Sequence, residues 1–359
     1  MRLCVVGVGA LGRHHARILS QMHGVELVAV ADPNATQGQQ VADACGCEWT
    51  SDYASLLGRV DAASIVVPTR FHLRVASEFL NHGIPVLVEK PLAGTCEAGE
   101  QLVTLAAQQG LPLQVGHIER FNPAFRELEN RCSDPKYIKA ERMSPYPFRS
   151  TDIGVVHDLM IHDIELVLQL TGEMPQRVEA FGVSLVGGHE DCVQARLYFP
   201  GGCIADITAH RVCPTACRTM QVWTSEGCSL ANLHSRQVTH FRPGDLMRQG
   251  QLPFDLSLVP GADIAALKSD VFGKFIDMSD ISGGTADALT AELASFVECI
   301  RTGQTPEVDG QRGLAALRVA EQVLDCVSHH QWDGHSEGRQ GPMALINSHL
   351  TGRQHRRAA

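Results

Sequence analysis

Residues 3–8, 25–31, 63–68, 84–89 and 113–115 are short segments apolar almost throughout, separated by amphipathic stretches at 12–22, 73–81 and 96–109. Strands with no polar face must be covered on both sides, and helices that alternate with them supply the cover. The pattern therefore predicts an α/β unit built on a parallel sheet over residues 1–118. The turn after the first strand reads "GVGALG", residues 7–12. Gly7 permits the tight turn, Gly9 a close approach of ligand to backbone, and Gly12 close packing of helix on strand. Such a turn leads anionic phosphates to the unpaired N–H groups of a helix N-terminus, and Ala10 and Leu11 complete the loop. The second strand ends at Asp32, twenty residues after Gly12. A carboxylate there accepts hydrogen bonds from ribose hydroxyls and repels a 2′-phosphate, and "PNATQGQQ" after it has no arginine to bind that phosphate. NAD is expected in preference to NADP.

The pattern changes after about residue 120. Strand candidates at 136–142, 177–185, 192–199, 203–212, 218–224 and 238–242 follow one another, with turn signals at "PGG" (200–202) and "SEG" (225–227). This predicts a large, mostly antiparallel sheet in an α+β domain over 119–332. Residues 243–286, rich in Gly, Pro and Asp, read as a long functional loop or a subunit contact. Helices are expected at 286–301 and 310–329. From Asp333 a polar tail with Arg339, Arg353, Arg356 and Arg357 follows, in which "MALI" (343–346) could dock.

With a net charge of −10, wholesale binding to nucleic acid or to an anionic membrane is disfavoured. No run is apolar enough to span a bilayer. The 12 cysteines fall in no C-x-x-C pair, which predicts reduced thiols in a cytoplasmic enzyme and no structural zinc.

Two segments carry chemistry. "PVLVEKPLAG" (85–94) puts Glu89, Lys90 and Pro91 at the end of a buried strand, on the sheet edge where ligands of open α/β sheets bind. A lysine that merely reaches solvent there is the plain alternative. "HDLMIHDIEL" (157–166) repeats a His-Asp pair. On a helix over 152–170 ended by Gly172, Asp158, His162, Glu165 and Gln169 share one face, while His157 and Asp163 project elsewhere. That stripe is a wet side, part of a metal site or a catalytic face. A metal needs a third protein ligand that is not evident.

The glycine motif, Asp32, "VPTRFH" (67–72), "NHGIPVLVEKPLA" (81–93), the helix with Asp158 and His162, and "AELASFVECIRTGQTP" (291–306) occur in one order. Together they resemble the Gfo/Idh/MocA family of NAD(P)-dependent oxidoreductases across residues 1–330. The resemblance implies a doubly wound Rossmann domain followed by an α+β domain with an open-faced sheet. It implies that Lys90 is the active-site lysine; a cis bond to Pro91 is common in the family, and the sequence leaves cis or trans open. It places Pro68, Thr69, His72 and Glu89 with the cofactor, and makes His162 an acid/base assisted by Asp158. An imidazole with an ordinary pKa near 6.5 can take an alcohol proton near neutral pH, and an ammonium can stabilise the developing oxyanion, so no metal is required.

"GHIERFNPAF" (116–125) begins where the parallel sheet ends. His117, Arg120 and Asn122 can address phosphate or hydroxyl oxygens; a junction ion pair between Glu119 and Arg120 is the plain alternative. With the "HDLMIHDIEL" helix, this segment resembles family members that oxidise the 3-hydroxyl of UDP-N-acetylglucosamine ahead of transamination toward lipid A precursors. That implies a nucleotide-sugar substrate, an aminotransferase as pathway partner, and a homodimer or homotetramer. A uronate substrate would need a cation, with Arg149, Arg211 and Arg218 as candidates. A free-sugar or inositol dehydrogenase and a catalytically silent NAD-sensing regulator are the further alternatives; a regulator would not need Lys90, Asp158 and His162.

Overall fold

Six parallel strands form the first sheet: β1 (Arg2–Val6), β2 (Glu26–Ala31), β3 (Glu48–Thr50), β4 (Ala62–Ile65), β5 (Val86–Glu89) and β6 (Leu113–Gly116). Their order is β3-β2-β1-β4-β5-β6, so the direction of winding reverses between β1 and β4. Ligands of such sheets bind outside the carboxyl ends of the strands at that reversal. The computed structural model describes residues 1–146, 148, 153–333 and 335–345, and the chain divides into two compact units.

The first unit comprises Met1–Phe121 and Ala286–Glu321. Along β1, Leu3 and Val5 face one core while Cys4 and Val6 face another, the period-two alternation of a strand buried on both sides. The first core also takes Ile18 and Leu19 from helix Gly12–Gln21 and Leu293 and Phe296 from helix Ala288–Thr302. The opposite core takes Val75 and Phe79 from helix His72–Asn81 and Leu102 from helix Cys96–Gln109. Each large side chain so enclosed contributes about 1.5–3 kcal/mol. The sequence pattern assigns 286–321 to the second domain, but its apolar face packs into the first unit. That first unit also holds β3 and helix Ala35–Cys45, which the pattern does not predict. The helix is polar, and it is fixed by Gly38, where a Cβ would lie 2.1 Å from Trp49 Nε1.

The second unit comprises Asn122–Thr285 and Gln322–Ala359. Its eight strands are β7 (Tyr137–Met143), β8 (Arg177–Val183), β9 (Cys192–Tyr198), β10 (Ile204–His210), β11 (Cys217–Thr224), β12 (Gly227–Asn232), β13 (Gln237–Pro243) and β14 (Ile276–Ser282). The order is β14-β13-β12-β11-β7-β10-β9-β8, with β7 and β10 parallel and the remaining neighbours antiparallel. Helix Ile161–Thr171 lies against the central pair β7 and β10. Phe181, Trp223 and Met278 on this sheet are exposed.

Residues 243–286 are not a plain loop. They hold three short helices, Asp245–Arg248, Pro253–Ser257 and Ile264–Asp270, and then the edge strand β14. β14 is half-exposed on both sides, so it carries no apolar period to read. The polar tail is partly docked: Ser184 N–H donates to Pro342 O at 2.9 Å, and Arg339 pairs with Asp333 at 2.7 Å. Arg149, Asp152, Ile346, Arg353, Arg356 and Arg357 lie outside the described residues.

Candidate active site

The glycine turn of the first unit is built for an anion. Gly7 has φ +87°, and a Cβ there would lie 2.6 Å from Val66 O. A Cβ on Gly12 would meet Gly7 O at 1.9 Å. These two glycines are required by packing. Nothing lies within 4 Å of the Cβ position of Gly9, so the backbone there is open to a ligand. Helix Gly12–Gln21 has no side-chain cap and no acidic residue in its first turn, so no carboxylate of that turn competes with an anion at its positive end.

Asp32 holds this turn from the end of β2. Its Oδ2 accepts from Val8 N–H at 2.9 Å and its Oδ1 from Asn34 N–H at 2.8 Å. A carboxylate has about four lone-pair sites, so two hydroxyls of an adenosine ribose remain within its capacity. The turn, the uncapped helix and this carboxylate fit NAD. Asp32→Ala is therefore expected to do two things: raise the Kd for NAD+ and reduce the preference for NAD+ over NADP+. Equilibrium binding of both dinucleotides checks this, and an undiminished preference removes Asp32 from the ribose site.

Lys90 follows β5 directly, and its bond to Pro91 is cis. Its backbone N–H donates to Glu89 Oε2 at 3.2 Å. The Glu89 carboxylate is buried against Gly116, where a Cβ would lie 2.7 Å from it. The buried ring of His72 lies between Val67 O at 2.9 Å and Pro91 O at 3.0 Å, with its pKa pushed down by burial. Both acceptors are carbonyls, so a neutral ring donates to one of them and braces the Lys90–Pro91 turn. Thr69 begins the 3-10 turn Thr69–Phe71 after Pro68, beside the carboxyl end of β4. His117 is fully buried; burial, then the charges of Lys90 and Arg120, push its pKa down to about 3, so the ring is neutral. Arg120 is buried as well.

In the second unit, Asn122 caps helix Pro123–Glu129: its Oδ1 accepts from Ala124 N–H at 3.0 Å, and its Nδ2 donates to Leu233 O at 2.9 Å. The segment with the paired His-Asp dipeptides opens as a wide π-helical turn, Val156–Met160, and continues as α-helix Ile161–Thr171. Gly172, φ +67°, ends it as expected. π turns inside helices recur at functional sites. The start of this turn is fixed from below the sheet ends. Val156 N–H donates to Glu190 Oε1 at 3.1 Å, and a Cβ on Gly154 would strike that carboxyl at 1.8 Å. Arg211 donates from Nη1 to Ile153 O at 2.6 Å and from Nε to Asp191 Oδ1 at 2.8 Å.

The stripe is not a wet side. Asp158 and Glu165 are buried, and His162 is half-buried. Asp163 forms a two-bond pair with Arg142, Nε to Oδ2 at 2.9 Å and Nη2 to Oδ1 at 2.8 Å, with both partners buried. The two His-Asp pairs therefore have different surroundings.

One cluster goes unread in the sequence. His15, Glu89 and Glu292 each direct a nitrogen or oxygen into one place, with all these atoms within 4.8 Å of one another. Two separate helices and a strand end supply them, so no local spacing announces the group.

Comparison with known proteins extends the geometry. Residues 1–117 match the model of an oxidoreductase family with an NAD-binding Rossmann fold, and residues 129–229 match the Gfo/Idh/MocA C-terminal domain. The UDP-N-acetylglucosamine 3-dehydrogenase of Acidithiobacillus ferrooxidans is 34% identical over 325 residues, covering 90% of this chain and 96% of that one. A solved structure of that enzyme covers 91% of this chain and 97% of its own, at TM-score 0.80 and 32% identity. The scyllo-inositol 2-dehydrogenase (NAD(+)) of Bacillus subtilis is 27% identical over 86% of this chain and 88% of that protein. The glycine turn, the Glu-Lys-Pro strand end and the two matched domains lead to one assignment: the chain belongs to the Gfo/Idh/MocA family of oxidoreductases, with NAD as its cofactor.

Proposed function

We propose that this chain oxidises the sugar 3-hydroxyl of UDP-N-acetylglucosamine to the 3-keto sugar nucleotide, with NAD+ reduced to NADH. The observation that carries this reading is the 34% identity to the enzyme of that name across nearly the full length of both proteins. NAD+, when bound, supplies the hydride acceptor. The protein's own groups handle the proton and the charge. In this reading His162 takes the hydroxyl proton, Asp158, four residues before it, orients the imidazole and stabilises its charged form, and Lys90 donates a hydrogen bond to the reacting oxygen. His117, held neutral, acts as a hydrogen-bonding group in the same role as Arg120, toward substrate oxygens. Gly7, Gly9, Ala10, Leu11, Gly12 and Asp32 serve the dinucleotide, with Pro68, Thr69, His72 and Glu89 lining or bracing its nicotinamide end.

The nearest rival is the uronate form of the same sugar nucleotide. It needs a cation for its carboxylate, and Arg211 is already committed to Asp191 and the Ile153 carbonyl. That favours the neutral sugar. A 3-keto product is what an aminotransferase consumes, and lipid A precursor synthesis in the cytoplasm by a homo-oligomer is the setting this reading takes.

The test is a coupled assay. NADH absorbance is followed with UDP-N-acetylglucosamine, its uronate, scyllo-inositol and myo-inositol, each with the ketone trapped because alcohol oxidation is uphill at neutral pH. UDP-N-acetylglucosamine is expected to give the highest kcat/KM. Turnover with the uronate alone, or with an inositol alone, overturns the substrate; NAD+ binding without turnover on any of the four returns the chain to a sensing role.

A further inference from the structure

We propose that His15, Glu89 and Glu292 share one buried proton, resting on the Glu292 carboxyl, and that this proton keeps Glu89 charged and fixed against the backbone of Lys90. The three residues come from helix Gly12–Gln21, the end of β5 and helix Ala288–Thr302. Their relative exposures are 0%, 7% and 0%, so water does not screen them. Neither oxygen of Glu292 meets a hydrogen-bond donor among the described residues. His15 Nδ1 is 2.9 Å from Ser64 Oγ, and its Nε2 is 3.2 Å from Glu89 Oε1.

Proton counting leads to the assignment. A neutral His15 has one N–H. With it on Nε2, that edge of the ring lies 3.2 Å from Glu89, while Nδ1 accepts from the Ser64 hydroxyl. No proton is then left for Glu292, whose ionised form would be a dry carboxylate beside a second carboxylate. Two such groups in contact cannot both ionise, so one retains its proton. Glu89 is the one stabilised as the anion, since the Lys90 N–H donates to it and His15 Nε2 lies 3.2 Å from its Oε1. Glu292 therefore carries the proton, on a carboxyl whose oxygen lies within 4.8 Å of one of Glu89. Burial, and then the charge of Glu89, raise the Glu292 pKa well above its ordinary value. The other groups packed close are Gln114, which donates to Glu292 O at 3.0 Å, and the turn Ile118–Phe121 with buried Glu119 and Arg120, both of which have partners of their own.

The link to catalysis rests on the role proposed above for Lys90. The proton itself does not, so the experiment reads the proton alone, on the full chain without substrate. Infrared difference spectra of wild type minus Glu292→Gln, in H2O and D2O, are expected to show the C=O stretch of one protonated carboxylic acid at pH 8, absent from the variant. Glu190→Gln, the control for a second buried carboxyl, leaves the band in place. Glu89→Gln shifts it by removing the neighbouring negative charge, which keeps the test alive if Glu292→Gln does not fold. A spectrum with no such band at pH 8, or a band unmoved in Glu89→Gln, overturns the proposal. So does a stoichiometric divalent metal in the purified protein, since three such ligands would then be holding a cation.

The folded state also keeps a proton that the unfolded chain releases above its ordinary pKa of 4.5. Stability from this group is thus fully present below that value and falls as pH rises toward the folded pKa. The unfolding constant of wild type is expected to rise up to about tenfold per pH unit more steeply than that of Glu292→Gln across this window. Parallel pH dependences overturn the assignment.

Discussion

His162→Ala is expected to lower kcat for the proposed sugar-nucleotide oxidation by about 10²–10⁴, the range for loss of a positioned acid/base. That corresponds to about 2.7–5.5 kcal/mol of transition-state stabilisation. NAD+ affinity stays at the wild-type value, because the glycine turn, the uncapped helix and Asp32 all belong to the first unit while His162 belongs to the second. Folding is also preserved. His162 is half-buried at the second residue of helix Ile161–Thr171, and alanine is the strongest helix former. Steady-state kinetics and equilibrium NAD+ titration on the same preparation separate the two effects. Turnover within threefold of wild type, or a lost NAD+ affinity, removes His162 from the chemistry. The conservative control is His162→Gln, which keeps a polar group of similar size but cannot take a proton at neutral pH; it is expected to be as slow as the alanine variant.

What could be read from the sequence follows from which constraints are local. Strands buried on both faces are apolar throughout, so β1, β2, β4, β5 and β6 announce themselves, and the parallel sheet follows. Gly7 and Gly12 are fixed by contacts within the same turn and with the next strand, and the hexapeptide records that directly. Helix Ala35–Cys45 is solvated and polar, and β14 is a half-exposed edge, so neither leaves an apolar period. The return of Ala288–Thr302 to the first unit is invisible because its apolar face would suit either core. The π turn at Val156–Met160 is set by Glu190 and Arg211, which lie on other segments and act beside Gly154. Asp158 and Asp163 look equivalent in the sequence, each following a histidine. That Asp163 pairs with Arg142 of β7 is set by the fold and not by the local spacing. His15 and Glu292 stand nearly a full chain apart, and only the fold brings them together with Glu89.

Asp163→Ala costs about 3–5 kcal/mol of stability, the range for breaking a buried ion pair by removing one member. Arg142 and Asp163 have side-chain exposures of 3% and 2%, and two parallel hydrogen bonds join the carboxylate to the guanidinium. Removing the carboxylate takes away two of the bonds that offset the desolvation of that charge in the interior between β7 and helix Ile161–Thr171. The loss is read as a lower denaturant midpoint at unchanged slope, which separates lost stability from a changed unfolded state. Replacing both partners, Arg142→Met with Asp163→Leu, removes the stranded charge as well and is expected to recover most of the loss, since well-packed apolar pairs often match buried ion pairs. Asp163→Ala within 1 kcal/mol of wild type, or a double variant no better than the single one, defeats this account. The same variant sharpens the reading of the helix. If Asp163 acts through stability and His162 through turnover, as proposed, the soluble folded fraction of Asp163→Ala is expected to keep its kcat while that of His162→Ala does not.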